Sequence, residues 1–170
     1  LKWSTTSVKN GVWGDEAKGD DHDLACIRVA DFDRRNQSVD ESNLTFRNVD
    51  PSDLQGRLLE KGDLLIEKSG GGENWPVGYV VQFNHSFPAV TSNFIARVSL
   101  STYANSSFFK YFHLLLYSAR VTTRSINQTS GIQNLDSTSY FNNLAVFPPL
   151  LTQKAIAAFI LANYDQAAYL

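Results

Sequence analysis

Residues Gly62–Gly78 read GDLLIEKSGGGENWPVG. The aliphatic run Leu64-Leu65-Ile66 passes through Glu67, Lys68 and Ser69 into three consecutive glycines. It leaves through Asn74-Trp75-Pro76 into a second apolar run, Val77 to Phe83. An apolar run, a turn-forming cluster and a second apolar run make a strand, a loop and a strand. Glycine has no Cβ and tolerates φ > 0, so the backbone here can come close to a ligand. Lys68, Asn74 and Trp75 place a cation, an amide and an indole at the flanks of the loop.

Outward from this segment, Leu24–Ala30, Leu44–Val49 and Phe94–Leu100 read as strands, and Asn143–Phe147 as a last one ended by Pro148-Pro149. Asp50-Pro51-Ser52-Asp53 is a helix start, expected to run to Lys61 and stop at Gly62. Asn105 caps a second helix, Phe108–Ser118, whose apolar residues wrap much of its circumference. Residues 1–23, 34–43 and 119–134 read as polar segments or loops, and a short helical turn follows Asp136. From Leu150 onward the chain is Ala-rich and helix-prone. Strands and helices mix without a repeating βαβ unit. The expected class is therefore α+β: a mixed, largely antiparallel sheet with a few packed helices, followed by a C-terminal helix.

A chain of 170 residues, 43% hydrophobic and 12% aromatic, suits one domain with its own core. No apolar run approaches the roughly 18 residues that span a bilayer. The start LKWSTTSVKNG lacks a signal-peptide apolar region, and the absence of Met marks Leu1 as a poor candidate for the native start. The single Cys26 lies in an apolar run, as a buried small hydrophobe would. One unpaired cysteine suits a reducing cytoplasm.

The net charge is −2, but it is unevenly spread. Residues 1–73 carry −5, residues 136–170 carry −1, and residues 74–135 carry +4 with no acid: Arg97, Lys110, Arg120 and Arg124 are the only charges there. An acid-free third gives a polyanion a place to sit without repulsion. Within it, SARVTTRSINQTSGIQN (residues 118–134) combines Arg, Asn and Gln, which make bidentate contacts to base edges, with Ser and Thr, which suit phosphates or bases. A polar surface loop would have the same composition.

The familiar catalytic patterns are missing. The glycine loop has neither Gly-Lys-Ser/Thr nor G-x-G-x-x-G spacing, and there is no G-x-S-x-G elbow. Asp20-Asp21-His22-Asp23 has no calcium-loop spacing and no partner His or Cys, so a solvated acidic loop is expected. Glu67 and Lys68 are adjacent on a strand and face opposite sides, so with Asp63 they do not converge on one ion. His85 and His113 are isolated. No catalytic residue, metal ligand or cofactor is expected. Five N-x-Ser/Thr sequons, at Asn36, Asn43, Asn84, Asn105 and Asn127, accord with chance in an Asn/Ser/Thr-rich chain.

Three segments together match a family: Gly62–Gly71, then Gly131-Ile132-Gln133-Asn134-Leu135-Asp136 with Tyr140, then Pro148-Pro149-Leu150 followed by Gln153-Lys154 and Ile156-Ala157-Ala158-Phe159. In this order the chain resembles the specificity (S) subunit of type I restriction–modification systems, over one target recognition domain (residues 1–147) and the start of a conserved spacer helix (148–170). The resemblance implies a cytoplasmic, non-catalytic DNA-binding subunit that reads one half of a bipartite target in double-stranded DNA. It implies docking of methyltransferase (modification) subunits and, through them, restriction subunits. The helix would present Leu151, Ala155, Ile156 and Phe159 to a partner. After Phe159 the family usually continues as a charged helix, whereas Ile160–Tyr164 is apolar here.

Residue chemistry nominates the DNA-binding side chains: Lys68, Ser69, Asn74 and Trp75 from the glycine loop, and Arg120, Thr122, Thr123, Arg124 and Gln128 from the acid-free loop. Three alternatives stay open: the recognition domain of a fused restriction–methyltransferase enzyme, a secreted glycan-binding module using the sequons and Trp75, and a metal-dependent nuclease using Asp20, Asp21 and His22.

Overall fold

Leu64, Leu65 and Ile66 are wholly buried, and the alternation of a strand explains how both faces are covered. Leu64 and Ile66 enter a core with Val80, Val98, Phe109 and Tyr140, while Leu65 enters a second core with Ile27, Val81, Phe83 and Ile95. The computed structural model describes residues 1–129 and 131–167. Its strands are β1 (Thr5–Asn10), β2 (Asp15–Glu16), β3 (Asp23–Ile27), β4 (Phe32–Asp33), β5 (Ser38–Val39), β6 (Thr45–Asn48), β7 (Leu64–Glu67), β8 (Ser69–Gly70), β9 (Val80–Gln82), β10 (Ala89–Thr91), β11 (Ile95–Leu100), β12 (Ile126–Thr129) and β13 (Ile132–Leu135). The helices are α1 (Ser106–Ser118), α2 (Ser137–Phe141) and α3 (Leu150–Ala167).

Three sheets form, in the orders β1-β11-β7-β9-β5-β4, β10-β3-β6-β2 and β12-β13-β8. All strand pairs are antiparallel except β10 with β3 and β5 with β9. The expected α+β class, antiparallel-dominated with few helices and a C-terminal helix, is what forms. The two runs of the glycine segment pair as expected, with Leu64 opposite Gln82 and Ile66 opposite Val80.

Several local expectations fail for identifiable reasons. The helix expected over 50–61 is a single 3-10 turn, Pro51–Leu54, in which Asp50 accepts from the Ser52 amide at 2.8 Å. Beyond it Gly56 turns to φ +71°, and the Leu59 amide donates to the Ala89 carbonyl at 2.8 Å. Tertiary partners thus take the backbone groups that a longer helix needs. Residues 119–134 are not a loop: a 3-10 turn (Val121–Ser125) leads into the β12–β13 hairpin. Residues 143–147 form no strand; Leu144 and Val146 point to solvent while the Phe147 ring packs at 5.5 Å from Phe109. Polar residues 5–10, unremarkable in sequence, pair along β11.

Helix α1 starts where expected, with Asn105 Oδ1 accepting from the Phe108 amide at 2.9 Å. It buries Phe108, Phe109, Lys110 and His113 and leaves Leu115 exposed, so its apolar wrapping is wider than the buried face. Helix α3 is anchored by Gln153, which has no exposed surface. The Gln153 amide donates to the Tyr103 carbonyl at 3.0 Å and the Pro148 carbonyl at 2.8 Å, and its Oε1 accepts from the Asn105 amide at 2.7 Å. One side chain thereby ties the last helix to the cap of α1. Residues 168–170 of the expected helix lie outside the described residues. Truncation by Gln153→Ala orphans these buried groups and should cost about 2–4 kcal/mol, read as a lower urea midpoint with an unchanged m-value.

Candidate nucleic-acid interface

The glycine strand and the acid-free stretch, 65 residues apart, meet in one sheet: Ser69 lies opposite Asn134 and Gly70 opposite Gln133, and the Ser69 hydroxyl donates to Asn134 Oδ1 at 2.8 Å. Along β13, Gln133 and Leu135 turn inward while Ile132 and Asn134 turn out. Gln133 Oε1 accepts from the Val77 amide at 3.2 Å and so closes the glycine loop from within.

Two glycines are required by these approaches. Gly71 has φ +58°, and a Cβ there would stand 2.8 Å from the Val77 nitrogen and 3.0 Å from Gln133 Oε1. Gly78 has φ +102°, and its Cβ would stand 2.9 Å from Thr122 Cγ2. The backbone comes close to the chain itself at both positions, which accounts for the glycines without a ligand.

The nominated side chains divide accordingly. Asn74, Trp75, Arg120, Thr123, Arg124 and Gln128 are exposed, and Lys68 and Ser69 are half-buried. Arg120, Thr123 and Gln128 line one groove of about 410 Å³ with Glu73, Pro76, Ile126 and Gln133. Folding therefore brings one acid, Glu73, to the edge of the acid-free stretch. Thr122 has to be withdrawn: it is fully buried beneath Gly78, with no hydrogen-bond partner for its hydroxyl. Arg120 sits at the end of α1 with φ +58°, a left-handed position where glycine is usual. Holding an arginine there costs about 1 kcal/mol.

Of the four cations in the acid-free third, two are not at this surface. Arg97 is buried, with Nε 2.6 Å from Asp63 and Nη2 3.2 Å from Glu60. Lys110 is buried on α1. A residue that sequence spacing missed takes a place instead. Arg34 lies 4.4 Å from the Tyr79 ring centroid and 5.6 Å from that of Trp75, and pairs with Glu67 at 2.9 Å. Arg34 and Trp75 are 41 positions apart, and no motif links them. Burial pushes the Glu67 carboxyl above its usual range, and Arg34 partly offsets this. Beside the same strand runs a cleft of about 560 Å³, walled by Trp13, Phe94 and residues 69–71.

The remaining titratable clusters are structurally satisfied. Asp20 and Asp23 both accept from the Asn48 amide, at 2.7 and 2.8 Å, and no group of metal-ligating side chains occurs among the described residues. Burial pushes the Cys26 thiol up to about 12. His85 contacts Glu41 at 3.1 Å and the Val39 carbonyl at 3.2 Å. His113 is hydrogen-bonded to the Tyr140 hydroxyl at 2.6 Å, and burial lowers its pKa to about 3.

The fold has known counterparts. A chain from a type I R-M system, solved for its complex assembly and conformational transition, superposes with a TM-score of 0.62 at 15% identity, over 96% of this chain and 39% of that one. The HsdS subunit from Thermoanaerobacter tengcongensis superposes with a TM-score of 0.56 at 16% identity, over 95% of this chain and 36% of that one. The likeness is one of fold, in agreement with the resemblance carried by the three sequence segments. The chain spans less than two fifths of the length of each counterpart. No protein-family model and no curated protein matches the sequence. No helix among the described residues is long and apolar enough to cross a membrane.

The buried imidazole sets a pH dependence. Its folded pKa of about 3 lies below the unfolded value of 6.5, so in that window the unfolded chain takes up a proton that the folded chain refuses. Stability is therefore lost as pH falls from 6.5 toward 3, at up to about 1.4 kcal/mol per pH unit from this group. His113→Gln removes that share: between pH 7 and pH 5 the variant's urea midpoint should drop less than the parent's.

Proposed function

We propose that residues 1–147 form a DNA target recognition domain and residues 148–170 the start of a conserved spacer helix, within the specificity subunit of a type I restriction–modification system. The chain carries no catalysis of its own. It works in the cytoplasm, reads one half of a bipartite site, and docks methyltransferase subunits and, through them, restriction subunits. The observation that carries this reading is the β12-β13-β8 sheet, which gathers exposed Arg120, Thr123 and Gln128 into one groove beside the loop bearing Asn74 and Trp75.

The chemistry suits a duplex. Arg120 and Arg124 offer forked donors for guanine edges or phosphates, Gln128 and Asn74 offer amides for adenine, and Lys68 offers a point charge for phosphate. The left-handed Arg120 strengthens the assignment, since strain kept at an exposed position points to use of the side chain. Arg34 enters as the residue that positions Trp75. Docking through α3 is supported by its exposure. Leu151 is 80% and Phe159 70% exposed, and Ala155 and Ile156 are also exposed. Only Gln153 and Ala157 of the described helical side chains are buried. An apolar helix face of this kind is otherwise uncommon on a soluble surface.

In the intact methyltransferase containing this subunit, Arg120→Ala and Arg124→Ala should each weaken binding to the cognate duplex. A phosphate contact shows as a salt slope smaller by about one, a guanine contact as about 1–3 kcal/mol lost at a single base pair. Arg120→Gly should weaken DNA binding equally yet shift stability by less than about 1 kcal/mol, because glycine relieves the left-handed strain. Thr122→Val should leave DNA affinity unchanged. Unaltered affinity and salt slope in both arginine variants would defeat the assignment of this surface.

A further inference from the structure

Glu67 closes the central strand with 3% of its surface exposed, and its two carboxylate oxygens are placed differently. Oε2 accepts from Arg34 Nη2 at 2.9 Å. Oε1 accepts from no described residue, and Glu67 lines the cleft of about 560 Å³ beside β8. Gly70 shows where Oε1 points: a Cβ built there would stand 3.9 Å from both Glu67 Oε1 and Phe94 Cδ1. Gly70 has φ +110°, a conformation that L side chains rarely adopt. Glycine thus keeps open the gap between the carboxylate and an aromatic wall of the cleft.

The walls are held in place. Arg47 lies 4.7 Å from the Trp13 ring centroid and donates to the Trp13 and Gly14 carbonyls at 3.2 and 3.0 Å. The Phe94 carbonyl accepts from the Lys68 and Ser69 amides at 2.8 and 3.2 Å, which ties Phe94 to the β7–β8 junction. Val29 and Ala30 complete a mostly apolar lining. Small-molecule sites have this make-up, apolar walls with a few polar groups in about 300–1,000 Å³.

The lining selects the ligand. Aromatic walls favour a flat ring. A carboxylate oxygen set among them is met by an N–H donor. That donor need not be charged. Arg34 already pairs with Glu67, and Arg28, 2.6 Å from Asp31, lines the same cleft, so a further cation would meet two guanidiniums. We infer that the cleft beside β8 is a nucleobase pocket, in which Glu67 Oε1 accepts from the amino group of adenine, cytosine or guanine. Thymine is disfavoured, because its one ring N–H lies between two carbonyls that would face the carboxylate. Such a base comes either from a free nucleoside or from a strand in which it is unpaired. The choice of a nucleobase among amino-bearing rings rests on the proposed reading. Ser69 and Gly70 belong both to this cleft and to the sheet of the candidate DNA surface.

The test titrates the full native chain with the four deoxynucleosides. The Trp13 indole N–H resonance, assigned by its loss in Trp13→Phe, reports occupancy. Deoxyadenosine, deoxycytidine and deoxyguanosine should shift it with a Kd at least about tenfold below that of thymidine. Phe94→Ala, which removes a half-exposed wall, should raise each Kd about tenfold. Glu67→Gln should invert the preference. Arg34 offers only donors, so the amide keeps its oxygen on Arg34 and turns its nitrogen to the cleft, where thymidine carbonyls accept. A purely structural role for Glu67 would not exchange one base for another. A second arm compares the cognate duplex with one unpaired cytosine against the fully paired duplex. Tighter binding of the former, lost in Phe94→Ala, assigns the pocket to an extruded base; equal binding, with deoxynucleosides bound, assigns it to a free nucleoside. No shift with any deoxynucleoside and no preference for the unpaired cytosine overturn the pocket, and the reading stands if Arg120→Ala still weakens duplex binding. Four equal affinities overturn the role of Glu67 and the pocket with it. A chain that binds deoxynucleosides but no duplex keeps the pocket and loses the reading. If Glu67→Gln fails to fold, Phe94→Ala and the preference among the four deoxynucleosides decide.

Discussion

A strand buried on both faces has to end somewhere, and β7 is bounded by two buried carboxylates. Asp63 precedes it and Glu67 closes it, and each is paired with an arginine from a distant segment, Arg97 on β11 and Arg34 before β5. Removing one member of such a pair leaves an uncompensated charge, at about 3–5 kcal/mol. The pairs therefore lock the central strand to its neighbours at both ends. They also decide which cations remain for a polyanion: Arg97 is consumed inside, while Arg34 is aimed by Glu67 toward Trp75 and Tyr79. The two cores on either side of Leu64-Leu65-Ile66 grow from this fixed strand.

From that strand the candidate interface is assembled by close approach. Gly71 meets Gln133, and Gly78 meets Thr122. These contacts hold the glycine loop against the β12–β13 hairpin, so that their polar tips share one surface. Of the inward residues, Thr122 is one that residue chemistry nominates as a reader, and Gln133 is one it does not. The outward ones, Arg120, Thr123 and Gln128, remain free to contact a partner molecule. The interface is thus positioned by residues that do not themselves reach it, and Gln153 plays the same part for α3 at the other end of α1.

The two ends of α1 meet different parts of the chain. Its C-terminal end hands the chain to the arginine-bearing turn, and its N-terminal cap is tied to α3 through Gln153. The thirteen-residue helix separates the arginine-bearing turn from the anchor of α3.

Legible along the chain were the α+β class, the strands of the glycine segment and their pairing, the capped helix α1, the final helix, the two segments that meet at the candidate interface, and the resemblance to specificity subunits. These are local signals: apolar runs, caps, turn residues and ordered motifs act within a few positions. It misjudged residues 50–61 and 143–147, where tertiary partners override propensity, and it did not see the β12–β13 hairpin in a polar stretch with no apolar alternation. Which polar residues remain available is settled by folding. Thr122 and Arg97 are spent inside, and Arg34 is recruited. Burial and pairing depend on contacts between segments tens of residues apart, and composition along the chain carries no record of them.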